Sequence, residues 1–241
     1  MRKLLLLLLA LPVIVLAQDK NVINFSRYFP KAEKATLFEK ALSAHAQKYH
    51  TGDVKWQVYS IETGMYAGGY LVAEGPTNWD GVDNRGDISK AHMDDWNATV
   101  QPLVTERTVN DYFVYRQDLS TADLKEKANK IVINHLYQKP GYYGELQEIL
   151  ASLKKTWAEA DQSVAVCEGS ASGEPQFITI SMYKQGELKD REVGARTPFP
   201  ARFAKANGGE SAWTKYIETY KLAVNRQWSE MLFYKPELGS K

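Results

Sequence analysis

Two asparagines hold equivalent places in two apolar segments, and they are the first candidates for chemistry. Each follows a Val-Ile pair, Asn24 in the first half of the chain and Asn134 in the second. Asparagine is disfavoured inside strands, so its place in a strand-like apolar run needs a reason. A buried pair of amides could orient a carbonyl group or a bound oxygen molecule. The alternative is that both amides satisfy neighbouring backbone groups.

His92 and Trp96 form the second candidate pair, because they lie four residues apart in a segment with helical periodicity. Side chains at this spacing lie on adjacent turns of one helix face. The alternative for His92 is a packed residue at the rim of the helix face. The other three histidines have structural explanations. They are His45 in a helix core or rim, His50 as a favourable helix cap, and His135 on the strand face opposite the preceding asparagine.

Four polar residues in predicted strands could line a cavity: Gln57, Tyr59, Thr179 and Ser181. Apolar walls with a few amides and hydroxyls suit a small, largely apolar ligand. The six Trp and 14 Tyr residues offer the opposite outcome, since large side chains could fill the interior. A filled interior would leave a scaffold or an interaction module without a pocket.

No metal site is predicted from the motifs of the sequence. The loop with Asp80, Asp83, Asn84 and Asp87 is acidic, but a calcium loop needs oxygen ligands at alternating positions and a glycine at the sixth. The sequence also has no phosphate-binding loop, no nucleophile elbow and no His-Glu-x-x-His helix. Cys167, the single cysteine, lies in an apolar run and is predicted to be a buried small hydrophobe.

A repeat organises the elements that must position these candidates. Residues 22–30 and 132–140 share Val, Ile, Asn and Pro at a constant offset of 110, and the apolar face of the first helix recurs at an offset of 108. Hydrophobic periodicity predicts the order β-α-β-β-α-β in each half. The first half has strands at 22–29, 54–61, 66–73 and 109–116 and helices at 31–49 and 88–100. The second has strands at 131–137, 162–167, 177–183 and 231–234, helices at 143–157 and 211–225, and a polar loop at 185–209.

The first 17 residues are predicted to be a signal peptide rather than part of the fold. Arg2 and Lys3 precede the apolar run Leu4–Leu16, and Val15-Leu16-Ala17 supplies small residues for cleavage after Ala17. The run is shorter than the ~20 residues of a membrane-spanning helix, although an uncleaved anchor is the alternative. We therefore expect a secreted or periplasmic protein without a later membrane span. N-terminal sequencing of exported material should begin at Gln18, and a full-length cytoplasmic product would contradict this expectation.

The charge balance of the remaining 224 residues argues against nucleic acid as a partner. Without the two basic residues of the predicted signal peptide, the chain has 28 basic and 29 acidic residues, for a net charge of −1. Binding to a phosphate backbone relies on an excess of lysine and arginine. The oligomeric state is left open.

The element order points to a fold. The β-α-β-β-α-β unit is the ferredoxin-like split motif, whose helices cover one face of the sheet and leave the other to be covered. With this unit in two copies, the chain resembles the dimeric α+β barrel superfamily, which includes antibiotic-biosynthesis monooxygenases and haem-degrading monooxygenases. The resemblance covers about residues 20–236. It implies a pseudo-dimeric α+β barrel with two packed antiparallel sheets, built from a first repeat at 20–118, a linker at 119–130 and a second repeat at 131–236.

The resemblance also implies roles for individual residues. Similar monooxygenases have an asparagine on the first strand that points into the cavity. Haem-degrading members add a tryptophan and a histidine, and this histidine comes from the second helix and can ligate iron. Asn24, Trp96 and His92 are the positions that imitate this set, with His92 as the haem ligand. The second half departs from the pattern because its second helix has no histidine.

Two functions follow from these observations. The first is an exported binding protein that holds a small apolar molecule between the sheets. The alternative is a monooxygenase-like enzyme, cofactor-free or haem-dependent, that uses Asn24, His92 and Trp96. The missing second histidine and the predicted export favour binding. The expected ligand contacts are Asn24, Asn134, Gln57, Tyr59, Thr179 and Ser181.

Overall fold

A computed structural model describes residues 20–86, 88–124, 126–183 and 197–241 of the chain. The predicted signal peptide lies outside these residues, as do Asp87 and residues 185–196 of the predicted polar loop 185–209. Among the described residues, no helix is long and apolar enough to cross a membrane.

The described residues of the first half form four strands and three helices. They are β1 Val22–Pro30, α1 Ala35–Tyr49, β2 Trp56–Ile61, β3 Tyr70–Thr77, α2 Trp79–Asp83, α3 Lys90–Asp95 and β4 Val104–Tyr115. The apolar face of α1 buries Phe38 and Leu42 against the sheet, as its three-and-four spacing predicts. The predicted helix 88–100 is α3 followed by a π-helical turn, Trp96–Val100.

In its described residues, the second half follows the same order of strands and helices. Its elements are β5 Lys130–Gln138, α4 Tyr143–Glu159, β6 Val164–Ser170, β7 Gln176–Tyr183, α5 Phe199–Asn207, α6 Glu210–Ala223 and β8 Val224–Tyr234. The prediction of a polar loop is wrong at its end, where α5 forms and buries Phe203. The last strand begins at Val224 rather than Met231, because its first residues pair with β5 as far as Gln138.

The eight strands of the described residues join into one closed antiparallel barrel in the order β1-β3-β2-β8-β5-β7-β6-β4. The strands of each half lie in the same relative order, with the first strand between the third and the fourth. The sequence predicted two packed sheets. The structure instead joins the halves edge to edge, through β4 with β6 and β2 with β8. Closure leaves no unpaired sheet edge.

The core consists of three layers. One fills the barrel and includes Phe25, Phe113 and Ile133. The other two lie outside the barrel wall, one beneath α1 in the first half and the other beneath α4 to α6 in the second. The barrel wall is therefore buried on both faces over much of its area.

Candidate functional site

A cavity of about 80 Å³ lies inside the barrel. Its walls are mainly apolar, with Phe25 and Leu71 from the first half and Ile131 and Ile180 from the second. Leu124, Glu126 and Ala128, from the segment between β4 and β5, also line it. The predicted linker therefore contributes to the wall of the cavity.

Two of the predicted ligand contacts, Gln57 and Tyr59, line this cavity. The Tyr59 hydroxyl lies 3.3 Å from Gln57 Oε1, to which it donates a hydrogen bond. Burial raises the pKa of the Tyr59 hydroxyl, so it remains a protonated donor. The two side chains give an apolar cavity one hydroxyl and one amide.

The other predicted contacts do not face the cavity, and this part of the prediction is corrected. Ile23 and Phe25 point inward from β1, so Asn24 between them points outward. Its amide donates to Asn110 Oδ1 at 3.0 Å and its Oδ1 accepts from Ser26 at 2.9 Å. In the second half the same alternation places Asn134, Thr179 and Ser181 on the outer side, where Asn134 donates to Thr179 Oγ1 at 3.2 Å.

A buried charged network lies inside the barrel beyond Phe25. Arg27, with no exposed surface, contacts Glu230 Oε1 at 2.6 Å and Asp111 Oδ2 at 3.2 Å. His135 Nε2 lies 3.1 Å from the same Glu230 oxygen, and Trp228 stacks on the His135 ring at 3.9 Å. His135 thus lies inside the barrel, on the face opposite Asn134 as predicted.

The two carboxyl groups of this network respond differently to their surroundings. Burial favours a higher pKa for Glu230. The hydrogen bond with His135 and the charge of Arg27 together have the larger effect, so the pKa of Glu230 lies below its ordinary value. Burial also raises the pKa of Asp111, and there the longer contact with Arg27 does not offset it. Glu230 is therefore the main anionic partner of Arg27.

Three of the four histidines come together outside the barrel wall. His45 lies on the buried face of α1, His50 caps the end of that helix, and His92 lies in the first turn of α3. The ring centroids lie 4.8 Å apart for His45 and His92, 5.2 Å for His50 and His92, and 5.4 Å for His45 and His50. Ser89 Oγ accepts a hydrogen bond from the His92 backbone N–H and so caps the start of α3. This start position brings His92 to the cluster.

Carboxylates hold two of these rings. His45 Nδ1 lies 2.8 Å from Asp95 Oδ2, and His50 Nδ1 lies 3.4 Å from Glu74 Oε2 and 3.2 Å from the Val54 carbonyl oxygen. Burial lowers the pKa of both imidazoles, and their carboxylate partners offset this only in part. Both rings are therefore neutral near neutral pH.

The predicted catalytic residues are only partly brought together. His92 and Trp96 both pack against His45, with ring centroids at 4.8 and 5.2 Å. Asn24 is engaged by Asn110 and Ser26 instead.

The packing around His92 does not fit a haem. Its Nε2 atom, which would ligate the iron, lies 3.3 Å from His50 Nε2. The rings of His45 and Tyr49 approach the His92 ring at 4.8 and 5.4 Å, so a porphyrin has no space there.

The histidine cluster was missed because each member was considered alone, as a core residue, a cap or a rim residue. One signal was present: three of the four histidines fall within residues 45–92.

No family model and no curated protein matches the chain by sequence. Solved structures do match its fold. A proposed monooxygenase from Fusobacterium nucleatum has a TM-score of 0.60 and 13% identity, covering 88% of this chain and 91% of its own. An anthrone oxidase-like protein has a TM-score of 0.58 and 14% identity, covering 90% and 92%.

A mutant of the chlorite dismutase from Candidatus Nitrospira defluvii also matches, with a TM-score of 0.55 and 9% identity, covering 92% of this chain and 94% of its own. These likenesses extend over nearly all of each chain, and they agree with the closed barrel and its outer helices. The chain therefore has the fold of the dimeric α+β barrel superfamily.

Proposed function

We propose that the protein binds a small, largely apolar molecule inside its barrel. The observation that carries this proposal is the cavity, whose apolar walls include one hydroxyl and one amide, from Tyr59 and Gln57. Such a wall combines hydrophobic burial with one or two orienting hydrogen bonds. A short alcohol or carbonyl compound matches this combination.

The size of the cavity limits the ligand. About 80 Å³ is well below the ~150 Å³ of a cavity that holds benzene and the ~300–1,000 Å³ of sites for drug-sized ligands. A slender chain of few carbon atoms is therefore the best match for the cavity as it stands. A longer ligand would have to displace the segment with Leu124 and Glu126, which lines the cavity.

The origin and location of the barrel are part of the proposal. The equal strand order of the two halves and the sequence offset of 110 support a tandem duplication of a ferredoxin-like unit, with repeats at 20–118 and 131–236. The N-terminal apolar run supports export.

A second candidate function is a monooxygenase-like reaction without a cofactor. The fold likeness to the proposed monooxygenase and to the anthrone oxidase-like protein favours it. In such an enzyme the cavity would hold the substrate, with Tyr59 and Gln57 orienting a carbonyl or hydroxyl group.

A thermal-shift series with linear alcohols tests the binding proposal. The unfolding temperature of the wild-type protein should rise with 1-propanol or 1-butanol in a saturable manner, because ligands that bind the folded state stabilise it. Ala73→Phe, which places a ring in the cavity wall, should abolish the shift. Ala201→Phe, on the exposed side of α5, is the matched control and should keep it.

An equal shift in wild type and Ala73→Phe would mean that the alcohols bind elsewhere, and no shift in the wild type would overturn the proposal. Oxygen consumption with a short carbonyl or hydroxyl compound that binds the cavity would instead support the second candidate.

A further inference from the structure

We propose that His45, His50 and His92 bind one divalent transition-metal ion, with Zn²⁺ as the best match. One ligand atom from each imidazole lies within 4.8 Å of the other two. The site lies outside the barrel wall, between α1, α3 and β3, and is therefore independent of the cavity. Because the three nitrogens already lie so near one another, only small movements would place each of them about 2.0–2.1 Å from one ion.

The contact between His50 and His92 already has the spacing of two ligands. Their Nε2 atoms lie 3.3 Å apart. Two nitrogens at tetrahedral positions, each about 2.05 Å from Zn²⁺, are separated by roughly 3.3 Å. Without a metal, the same contact would be a hydrogen bond in which one imidazole N–H donates to the other ring, and the experiment below separates these cases.

The hydrogen-bond partners of the rings determine which nitrogens carry lone pairs. Asp95 Oδ2 can only accept, so His45 Nδ1 donates to it at 2.8 Å. His50 Nδ1 faces two acceptors, the Val54 carbonyl oxygen at 3.2 Å and Glu74 Oε2 at 3.4 Å, so it also donates. A neutral imidazole that donates through Nδ1 has its lone pair on Nε2. Both rings therefore present an unprotonated Nε2, the form that binds metals.

His45 provides the observation that points most directly to a ligand. Its side chain is fully buried, and in the described part of the chain its Nε2 atom has no hydrogen-bond partner. A buried polar atom without a partner is costly, and an unplaced ion is one recognised explanation for it. A metal ion would use this lone pair.

The carboxylates match the surroundings of known metal sites. Histidines that bind metals almost always donate their other N–H to a carboxylate or a carbonyl, which fixes the ring and raises its basicity. Asp95 and Glu74 have this relation to His45 and His50. Glu74 is itself held by Trp56 Nε1 at 2.7 Å and by Arg85 at 3.0 Å.

The donor set defines the class of ion. Three imidazoles and no oxygen or thiolate ligand suit zinc and its first-row neighbours, whereas Mg²⁺ and Ca²⁺ require oxygen ligands. Three protein ligands leave one tetrahedral position for water or a small anion. This position would be reached from the side of His92, whose side chain is half-buried while His45 and His50 are buried.

Calorimetric titration of Zn²⁺ into tag-free, chelator-treated protein tests the proposal. We expect one ion per chain and no binding of Mg²⁺ or Ca²⁺. Loss of a residue that only hydrogen-bonds to a metal ligand typically weakens metal binding by about 10–100-fold. His92→Gln removes a ligand itself, at a half-buried position, and should weaken Zn²⁺ binding by more than this. Asp95→Asn should cause that about 10–100-fold loss. His135→Gln changes the one histidine outside the cluster and should bind Zn²⁺ as the wild type does.

Co²⁺ gives a second readout, because a tetrahedral site with three imidazoles produces visible absorption bands that His92→Gln should lose. The proposal is wrong if the wild type binds no stoichiometric Zn²⁺, or if His92→Gln binds it as tightly as the wild type. The first of these results would assign the His50–His92 contact to a hydrogen bond between the rings. Neither result would affect the alcohol binding expected of the barrel.

Discussion

Arg27→Met should lower the free energy of unfolding by about 3–5 kcal/mol, the cost of removing one partner from a buried ion pair. Arg27 has no exposed surface, and its guanidinium lies 2.6 Å from Glu230 and 3.2 Å from Asp111. The variant leaves the buried Glu230 carboxylate with His135 as its remaining polar contact. Urea denaturation at pH 7 measures the loss.

The double variant Arg27→Met/Glu230→Gln should recover much of that loss, because it also removes the isolated charge. Arg107→Met is the matched control. Arg107 and Arg27 both lie over the Tyr66 ring, at 5.2 and 4.7 Å, but Arg107 is exposed and should cost no more than about 1 kcal/mol. Equal losses in the two single variants would show that ring stacking, and not the buried ion pair, is what matters.

The difference between wild type and Arg27→Met should also depend on pH. The pKa of Glu230 lies below its ordinary 4.5 in the folded protein. Burial acts to raise this pKa, but His135 and Arg27 lower it by more. A carboxyl with a lowered pKa contributes stability above its unfolded pKa and loses that contribution as the pH falls through its folded pKa. The Arg27→Met variant lacks the contribution of Arg27. The difference in the free energy of unfolding between wild type and variant should therefore shrink as the pH is taken below 4.5.

The sequence predicted the arrangement of elements better than the direction of side chains. The offset of 110 placed Asn24 and Asn134 at equivalent positions, and alternation placed His135 on the strand face opposite Asn134. It could not decide which face points into the barrel, because Val22 to Phe25 are buried on both sides of β1. When both faces of a strand are buried, hydrophobicity does not distinguish the inner one.

The two polar clusters depend on contacts that no local pattern encodes. Arg27 and Glu230 lie 203 residues apart and meet because β1 and β8 both face the barrel interior. The histidine cluster needs α1 and α3 to pack side by side, which brings His50 and His92 together across 42 residues. Periodicity gives the face of each helix but not its neighbour, so these residues were assigned individually.

The capacity of the barrel is set by side chains that fill it, and Phe113 is the clearest case. Its ring has no exposed surface and lies 5.3 Å from the ring of Phe25, which lines the cavity. Phe113→Ala should therefore lower the free energy of unfolding by about 3–5 kcal/mol, from lost burial and an added void. Urea denaturation measures this loss.

The same substitution should enlarge the space inside the barrel by about the volume of the lost ring. An apolar void of roughly 150 Å³ binds benzene, whereas the present cavity of about 80 Å³ is too small for it. Benzene should thus raise the unfolding temperature of Phe113→Ala but not that of the wild type. Phe199→Ala, at a half-buried position on α5, should cost less and create no benzene site. A Phe113→Ala variant that loses stability without gaining benzene binding would show that the barrel wall closes over the void. The ligand size that the protein accepts would then be set by the packing of its strands rather than by the interior side chains.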